Sequence, residues 1–139
     1  MTATLQAPTR AIVSLENVAL PVAVAGLAVI STIHGLEVSG KLDETFYIGV
    51  MYVLGPIATS VFAGALLLTR FSWFGWALAG LISGSTFLGY CLSRTTGLPR
   101  ANGDIGNWGE PAGVLSLVVE GLVFGLAVIA LRRMPRPVR

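Results

Sequence analysis

Four long apolar blocks, each bounded by charged residues, constrain this chain more than any other feature. They run over residues 17–36, 45–69, 71–93 and 111–131. A hydrocarbon core about 30 Å thick is crossed by roughly 20 helical residues, and each block is long enough to do so. Because a helix satisfies its own backbone hydrogen bonds, it can cross lipid at this length. The pattern predicts an all-α integral membrane protein, a bundle of four transmembrane helices.

The composition agrees with this class. Hydrophobic residues make up 54 % of the chain and charged residues 12 %, against about 25 % charged in a typical soluble domain. The first block is longer than the apolar core of a secretory signal and no small-x-small cleavage site follows it, so we expect a retained span. We predict one membrane domain over residues 1–139, with an outer loop at 94–110 and a basic tail at 132–139.

Lysine and arginine are distributed unequally between the two sides. One side has Arg10, Arg70, Arg132, Arg133, Arg136 and Arg139. The other side has Lys41, Arg94 and Arg100. The positive-inside rule then predicts that both termini are cytoplasmic and that loops 37–44 and 94–110 face outward. We expect a bacterial cytoplasmic membrane, and the basic tail marks the cytoplasmic end rather than a nucleic-acid site.

Small residues four positions apart predict close helix packing, because spans in lipid associate where their backbones approach each other. The candidates are Gly80, Gly84, Gly89, Gly121 and Gly125. These faces serve either the bundle itself or a second subunit.

Pro56 lies near the middle of the second span and predicts a kink, because proline removes a backbone donor and clashes with the preceding turn. The kink either serves packing or opens a polar cavity at the depth of Glu120.

Aromatic residues lie near the ends of the spans, where indole and phenol rings favour the headgroup level. This pattern predicts an aromatic belt made of Trp73, Trp76, Trp108, Tyr47, Tyr52 and Tyr90. For Tyr90 an alternative is open, since its hydroxyl can instead donate to a buried carboxylate.

Glu120 lies deep in the fourth block and needs an explanation. A carboxylate near the middle of a bilayer costs roughly 2.5–3.5 kcal/mol and usually faces the protein interior with a partner. Gly113 and Ser116 share its helical face. Glu120 either contributes to a functional site or fixes helix register as a protonated or paired carboxyl.

His34 and Glu37 lie three residues apart near the end of the first span and share a helical face. Such a pair can ligate a metal, although a structural or interfacial histidine is the simpler interpretation. Counting helical rise places His34 about 7 Å shallower than Glu120, so a bridging ion, water or ligand joins them more easily than direct contact does.

Arg94 and the loop after it form the remaining polar feature. The Arg94 side chain either extends to water or folds down toward Glu120. Gly97 and Pro99 predict the end of the third helix, and Glu110-Pro111 predicts the start of the fourth. Between them the loop either folds back as a lid over the helix ends or is disordered.

The stretch SRTTGLP, followed by GNWGEP and a glutamate in the last span, resembles an uncharacterised family of small four-span bacterial membrane proteins. The likeness covers His34, Arg94, Gly97, Leu98, Pro99, Glu110 and Glu120. The resemblance implies the four-span architecture, and it brings no activity, cofactor or partner.

The chain has no Walker loop, dinucleotide fingerprint, HExxH or nucleophile elbow, which argues against an enzyme of the soluble type. We carry two hypotheses. One is a non-catalytic partner or accessory subunit of a larger membrane complex, or a homo-oligomer. The alternative is an outward-facing ligand, metal, haem, quinone or proton-relay site. Its candidate residues are His34, Glu37, Tyr90, Arg94, Glu110 and Glu120.

Overall fold

The computed structural model is a bundle of four helices, and it describes the backbone of residues 8–68 and 73–134 and the side chains of residues 17–68 and 73–134. The helices are α1 (Pro8–Glu44), α2 (Phe46–Leu68), α3 (Trp73–Thr95) and α4 (Pro111–Arg133). Each contains a stretch long and apolar enough to cross a membrane. The prediction of an all-helical protein with four candidate spans is confirmed.

The helices run alternately up and down and pack as a ring. Helix α1 packs against α2 and α4, and α3 packs chiefly against α4. The seam between α2 and α3 is thinner, and α1 and α3 lie across the diagonal. We call the end where α1 meets α2 and α3 meets α4 the loop end, and the opposite end the tail end.

The dry core lies toward the tail end. It consists of Ala19, Ala23, Leu27, Ile30, Leu66, Trp76, Ala79, Val123 and Ala127. Trp76 is fully buried there, so its predicted place in an interfacial belt is wrong. The reason is its position on α3: Trp76 shares an inward-facing stripe with Ala79 and Ser83, whereas Trp73 is exposed.

Helix α1 does not end at residue 36, and the predicted loop 37–44 is helical through Glu44. Glu37, Lys41 and Glu44 lie at helical spacing along one face, and Lys41 Nζ is 2.8 Å from Glu44 Oε2. Polar residues at the end of a span thus extend the helix instead of stopping it.

Small residues mediate the contact between α3 and α4 at three of the predicted positions. A Cβ on Gly80 would lie 3.0 Å from Ala127, one on Gly84 2.9 Å from Phe124, and one on Gly121 3.4 Å from Phe87.

Gly89 and Gly125 do not share this role, because within the described chain a Cβ on either would meet nothing within 4 Å. Helices α1 and α4 approach closely at Gly26, which the sequence pattern missed: a Cβ there would lie 2.5 Å from Val123 on α4.

Several orientation markers lie outside the described residues, namely the turn at Arg70 and the tail residues Arg136 and Arg139, together with the Arg10 side chain. Arg132 and Arg133 end α4 at the tail end. The orientation of the bundle in a membrane remains a prediction from the sequence.

Candidate functional site

The helices enclose a cavity of about 710 Å³ at the loop end, to which all four helices and the loop 96–110 contribute. The six candidate site residues of the sequence all line it: His34, Glu37, Tyr90, Arg94, Glu110 and Glu120. Residues far apart in the chain are therefore brought to one space.

One face of α4 supplies the deepest polar groups. Gly113, Ser116 and Glu120 follow at intervals of three and four residues, so they lie on one stripe, and all three are buried. Gly113 is required for the fit, because a Cβ there would lie 2.5 Å from the ring of Tyr90. The tyrosine and the α4 backbone thus approach closely just above Ser116.

Glu120 is only 1 % exposed. Its Oε1 accepts a hydrogen bond of 2.7 Å from the Ser116 hydroxyl, whereas its Oε2 has no hydrogen-bond partner among the described residues. The nearest basic group is His34, whose Nε2 is 3.9 Å from Oε1. That distance exceeds a hydrogen bond, so the expectation that direct contact is marginal agrees with the geometry.

The orientation of His34 is determined by its own helix. Its Nδ1 lies 3.0 Å from the Ile30 carbonyl oxygen, and because a carbonyl only accepts, Nδ1 carries the proton in the neutral ring. The Nε2 lone pair then faces Glu120. The ring of Tyr52 on α2 packs against the imidazole with centroids 5.0 Å apart. We call His34, Ser116 and Glu120 the cavity floor.

Arg94 adopts neither of its two predicted arrangements. It is buried, and its guanidinium binds acidic residues of the loop rather than reaching water or Glu120. Nη1 lies 2.7 Å from Asp104 Oδ2, and Nη2 pairs with Glu110. The guanidinium carbon is 4.7 Å from the centre of the Tyr90 ring. The loop folds back over the end of α3, so its carboxylates lie beside the Arg94 guanidinium.

Asp104 was missed by sequence reasoning as a site residue. Its carboxylate lies between Arg94 and Lys41, whose Nζ is 3.3 Å from Oδ2. Partial burial acts to raise the pKa of Asp104, but the ion pairs with Arg94 and Lys41 outweigh it, so the pKa lies below the ordinary 3.8. No spacing rule predicts a pairing across an irregular loop.

The loop 96–110 is folded onto the helix ends, in agreement with the lid-like alternative for its placement. Gly97 ends α3 with φ of 77°, and a Cβ there would clash with Asn102. The Gly106 amide donates to the Arg94 carbonyl at 2.9 Å, and the Tyr47 hydroxyl donates to the Pro99 carbonyl at 2.8 Å. The helix start at Pro111 is confirmed.

Two of the three tyrosines do not belong to an outer belt. Tyr52 and Tyr90 line the cavity, and only Tyr47 is exposed at the loop end. Trp108 is also exposed and packs edge-to-face on Tyr90, with centroids 6.0 Å apart. Tyr52 and Tyr90 face inward because their rings cover polar groups of the cavity, and contact of those groups with lipid would be unfavourable.

Helix α2 remains helical through Pro56. The carbonyl of Pro56 accepts a hydrogen bond of 3.1 Å from Ser31 on α1, and the neighbouring Gly55 lines the cavity. A kink that opens the cavity stays a prediction.

The described residues contain no group of three or more His, Cys, Asp or Glu side chains arranged to hold a metal ion. His34 and Glu37 both line the cavity, and His34 offers one unprotonated nitrogen. Metal or haem binding at this pair stays a prediction.

No protein-family model, curated protein or solved structure matches the chain. The structure therefore gives only the class of the protein. Its described residues form a helical bundle with four candidate membrane spans and a polar cavity between them.

Proposed function

We propose that this chain is a multi-pass membrane protein that binds a small molecule in the loop-end cavity, with the cavity facing away from the cytoplasm. The observation that carries the proposal is Glu120, a carboxylate 1 % exposed at the floor of a cavity of about 710 Å³. Its Oε2 has no hydrogen-bond partner within the part of the chain described.

Leaving a buried polar group unsatisfied costs about 1–3 kcal/mol, and more for a charged group. A carboxyl that only fixed helix register would be expected to have its oxygens satisfied by neighbouring helices. The size of the cavity also supports binding, because sites for small organic ligands commonly have volumes of about 300–1,000 Å³.

The role is binding rather than catalysis. At the rim of the cavity, Arg94 and Lys41 form ion pairs with acidic side chains, although Nε of Arg94 makes no hydrogen bond to the described residues. They hold the loop to the helix ends, which is a structural task. The floor then supplies recognition and the rim supplies closure.

A matched pair of glycine variants tests the proposal. Gly89 lines the cavity and Gly125 does not, and in the described structure both have open space where a side chain would begin. Leucine at position 89 should fill the cavity without a clash, and leucine at position 125 should leave it unchanged.

The measurement is small-molecule extraction from protein purified from its native membrane, with metal analysis and visible absorption to detect metal, haem or quinone. A compound bound to the wild type and to Gly125→Leu, and absent from Gly89→Leu, is the expected result. Equal recovery from all three proteins, or no compound in any of them, contradicts the proposal.

The hypotheses that the chain is an accessory subunit or a homo-oligomer remain a second proposal. Their support is the groove between α3 and α4 along Gly80, Gly84 and Gly121, but every chain that crosses lipid has an apolar outer surface. The mass of the protein extracted in mild detergent distinguishes them: a single chain with its ligand argues for the binding function alone.

A further inference from the structure

We infer that the ligand of this cavity has a primary ammonium group, bound at the floor between His34 and Glu120, and an apolar body that lies along the cavity walls. This inference rests on the proposed function and names the chemical class of its ligand.

The floor presents acceptors that face each other. In a neutral His34 ring, Nε2 carries a lone pair, because Nδ1 lies 3.0 Å from the Ile30 carbonyl oxygen and a carbonyl only accepts. Nε2 is 3.9 Å from Oε1 of Glu120, and Oε2 makes no hydrogen bond to the described residues. A group that fits here must donate at least two hydrogen bonds. An ammonium donates three, whereas a hydroxyl donates one.

Charge separates an ammonium from a neutral donor. A water molecule also donates two hydrogen bonds, but it provides no counter-charge for the ionised form of Glu120 in a low-dielectric site. Lys41 and Arg94 pair with carboxylates at the rim, and the nearest nitrogen of His34 is 3.9 Å from Oε1, beyond hydrogen-bond distance. A cationic ligand compensates the charge and satisfies the acceptors together.

The charges of the residues that line the cavity also favour a cation. The lining contains more acidic than basic side chains: Glu37, Glu44, Asp104, Glu110 and Glu120 against Lys41, Arg94 and Arg100. Even with His34 counted among the basic groups, the acidic side chains of the lining outnumber the basic ones, which favours a cation and disfavours a carboxylate or phosphate.

The rest of the cavity is suited to hydrocarbon. Ile33, Ile48, Met51, Leu54 and Ile82 line it on α1, α2 and α3. The volume of about 710 Å³ greatly exceeds what an ammonium group alone would fill. An amine with an aliphatic or aromatic body places its charged end on the floor and its apolar portion against these side chains.

Calorimetric titration of the full chain in lipid nanodiscs tests the ligand class. The probes are n-butylammonium, n-butanol and butyrate, which share one hydrocarbon chain and differ in the head group. Each is titrated into the wild type, Glu120→Gln and Asp43→Asn. Asp43 is exposed on α1 and does not line the cavity, so it is the control for loss of a carboxylate charge outside the site.

Butylammonium should bind the wild type and Asp43→Asn with dissociation constants within about twofold of each other. In Glu120→Gln the affinity should fall by about tenfold or more, because the charged partner of the ammonium is lost. Butanol and butyrate should bind the wild type at least about tenfold more weakly than butylammonium.

Equal binding of butanol and butylammonium to the wild type overturns the ligand class, and this comparison needs no variant to fold. Butylammonium binding that survives Glu120→Gln moves the site away from the floor, and no binding of butylammonium to the wild type also refutes the inference. In each case the proposed function is decided separately, by the compound recovered from Gly125→Leu and lost from Gly89→Leu.

Discussion

Ser116 and Glu120 form a hydrogen-bonded pair one turn apart on α4, with 2.7 Å between the hydroxyl and carboxylate oxygens. The pair is buried, and the serine hydroxyl holds Oε1, while Oε2 is buried without a hydrogen-bond partner among the described residues. The serine therefore fixes the orientation of the carboxyl group.

Ser116→Ala should lower the free energy of unfolding by about 1 kcal/mol, since a buried charge-assisted hydrogen bond is lost in a site that water reaches only through the cavity. Unfolding by denaturing detergent measures this. Ser39→Ala is the control, because Ser39 is exposed on α1. A loss no greater than that of the control would show that Ser116 does not stabilise Glu120.

Arg94→Lys should loosen the loop 96–110 although the charge is kept. A lysine ammonium is a single point of attachment, whereas the guanidinium binds Asp104 with one nitrogen and Glu110 with another. We expect a destabilisation of about 2 kcal/mol and faster amide hydrogen exchange at Gly106. Arg133→Lys, exposed at the tail end, should leave both unchanged. Unaltered exchange in Arg94→Lys would refute the clamp.

Asp104 should make the loop sensitive to acid. Its pKa in the folded protein is lower than the ordinary 3.8, so its ionised form stabilises the fold. That contribution is complete above the ordinary pKa and is lost as the pH falls through the lower folded pKa. Between pH 6 and pH 2 (about two units either side of the ordinary carboxyl pKa), the wild type should lose more stability than Asp104→Asn. Parallel thermal-unfolding curves for the two proteins would show that Asp104 does not contribute.

Gly26 and Gly35 on α1 provide a matched test of helix packing. A Cβ on Gly26 would lie 2.5 Å from Val123, whereas in the described structure one on Gly35 would meet nothing within 4 Å. Gly26→Ala should destabilise the bundle by about 1–3 kcal/mol through overpacking. Gly35→Ala should be neutral or stabilising by up to about 1 kcal/mol, because alanine favours a helix. Equal effects on unfolding would mean that α1 and α4 are not in close contact.

The orientation is tested with a single introduced thiol. Cys91 is the one cysteine of the chain; in a Cys91→Ser background, Asn107→Cys should react with an impermeant maleimide added to intact cells. Met134→Cys, at the tail end, should react only after the membrane is permeabilised. The reverse pattern would place the cavity on the cytoplasmic side.

The helices were predictable because each depends on a local property: a run of apolar residues long enough to cross lipid. The α4 face was predictable for the same reason, since Ser116 and Glu120 are one turn apart. What could not be predicted depends on the packing of different helices. Trp76 looked interfacial from its place near a span end, and only its neighbours on the buried stripe of α3 show that it faces inward.

The same distinction between local properties and helix packing applies to the polar site. That six ionisable or aromatic residues lie near the loop end follows from their depth in the spans. The pairs that these residues form could not be predicted. The partner of Arg94, either Glu120 or the loop carboxylates, depends on how residues 96–110 fold. Gly97 and Gly106, both with positive φ, allow turns that bring Asp104 back, and their sequence signature predicts a turn without its direction.

The buried cluster around Trp76 and Leu27 limits how far the polar cavity reaches along the bundle. It fills the space beyond Glu120 with apolar side chains, and Leu27, Trp76 and Val123 are closed to solvent. The cavity lining extends no further toward the tail end than Glu120 on α4, Ala58 on α2 and Ile82 on α3. Polar groups at the loop end are therefore separated from the tail end by a layer of packed hydrocarbon.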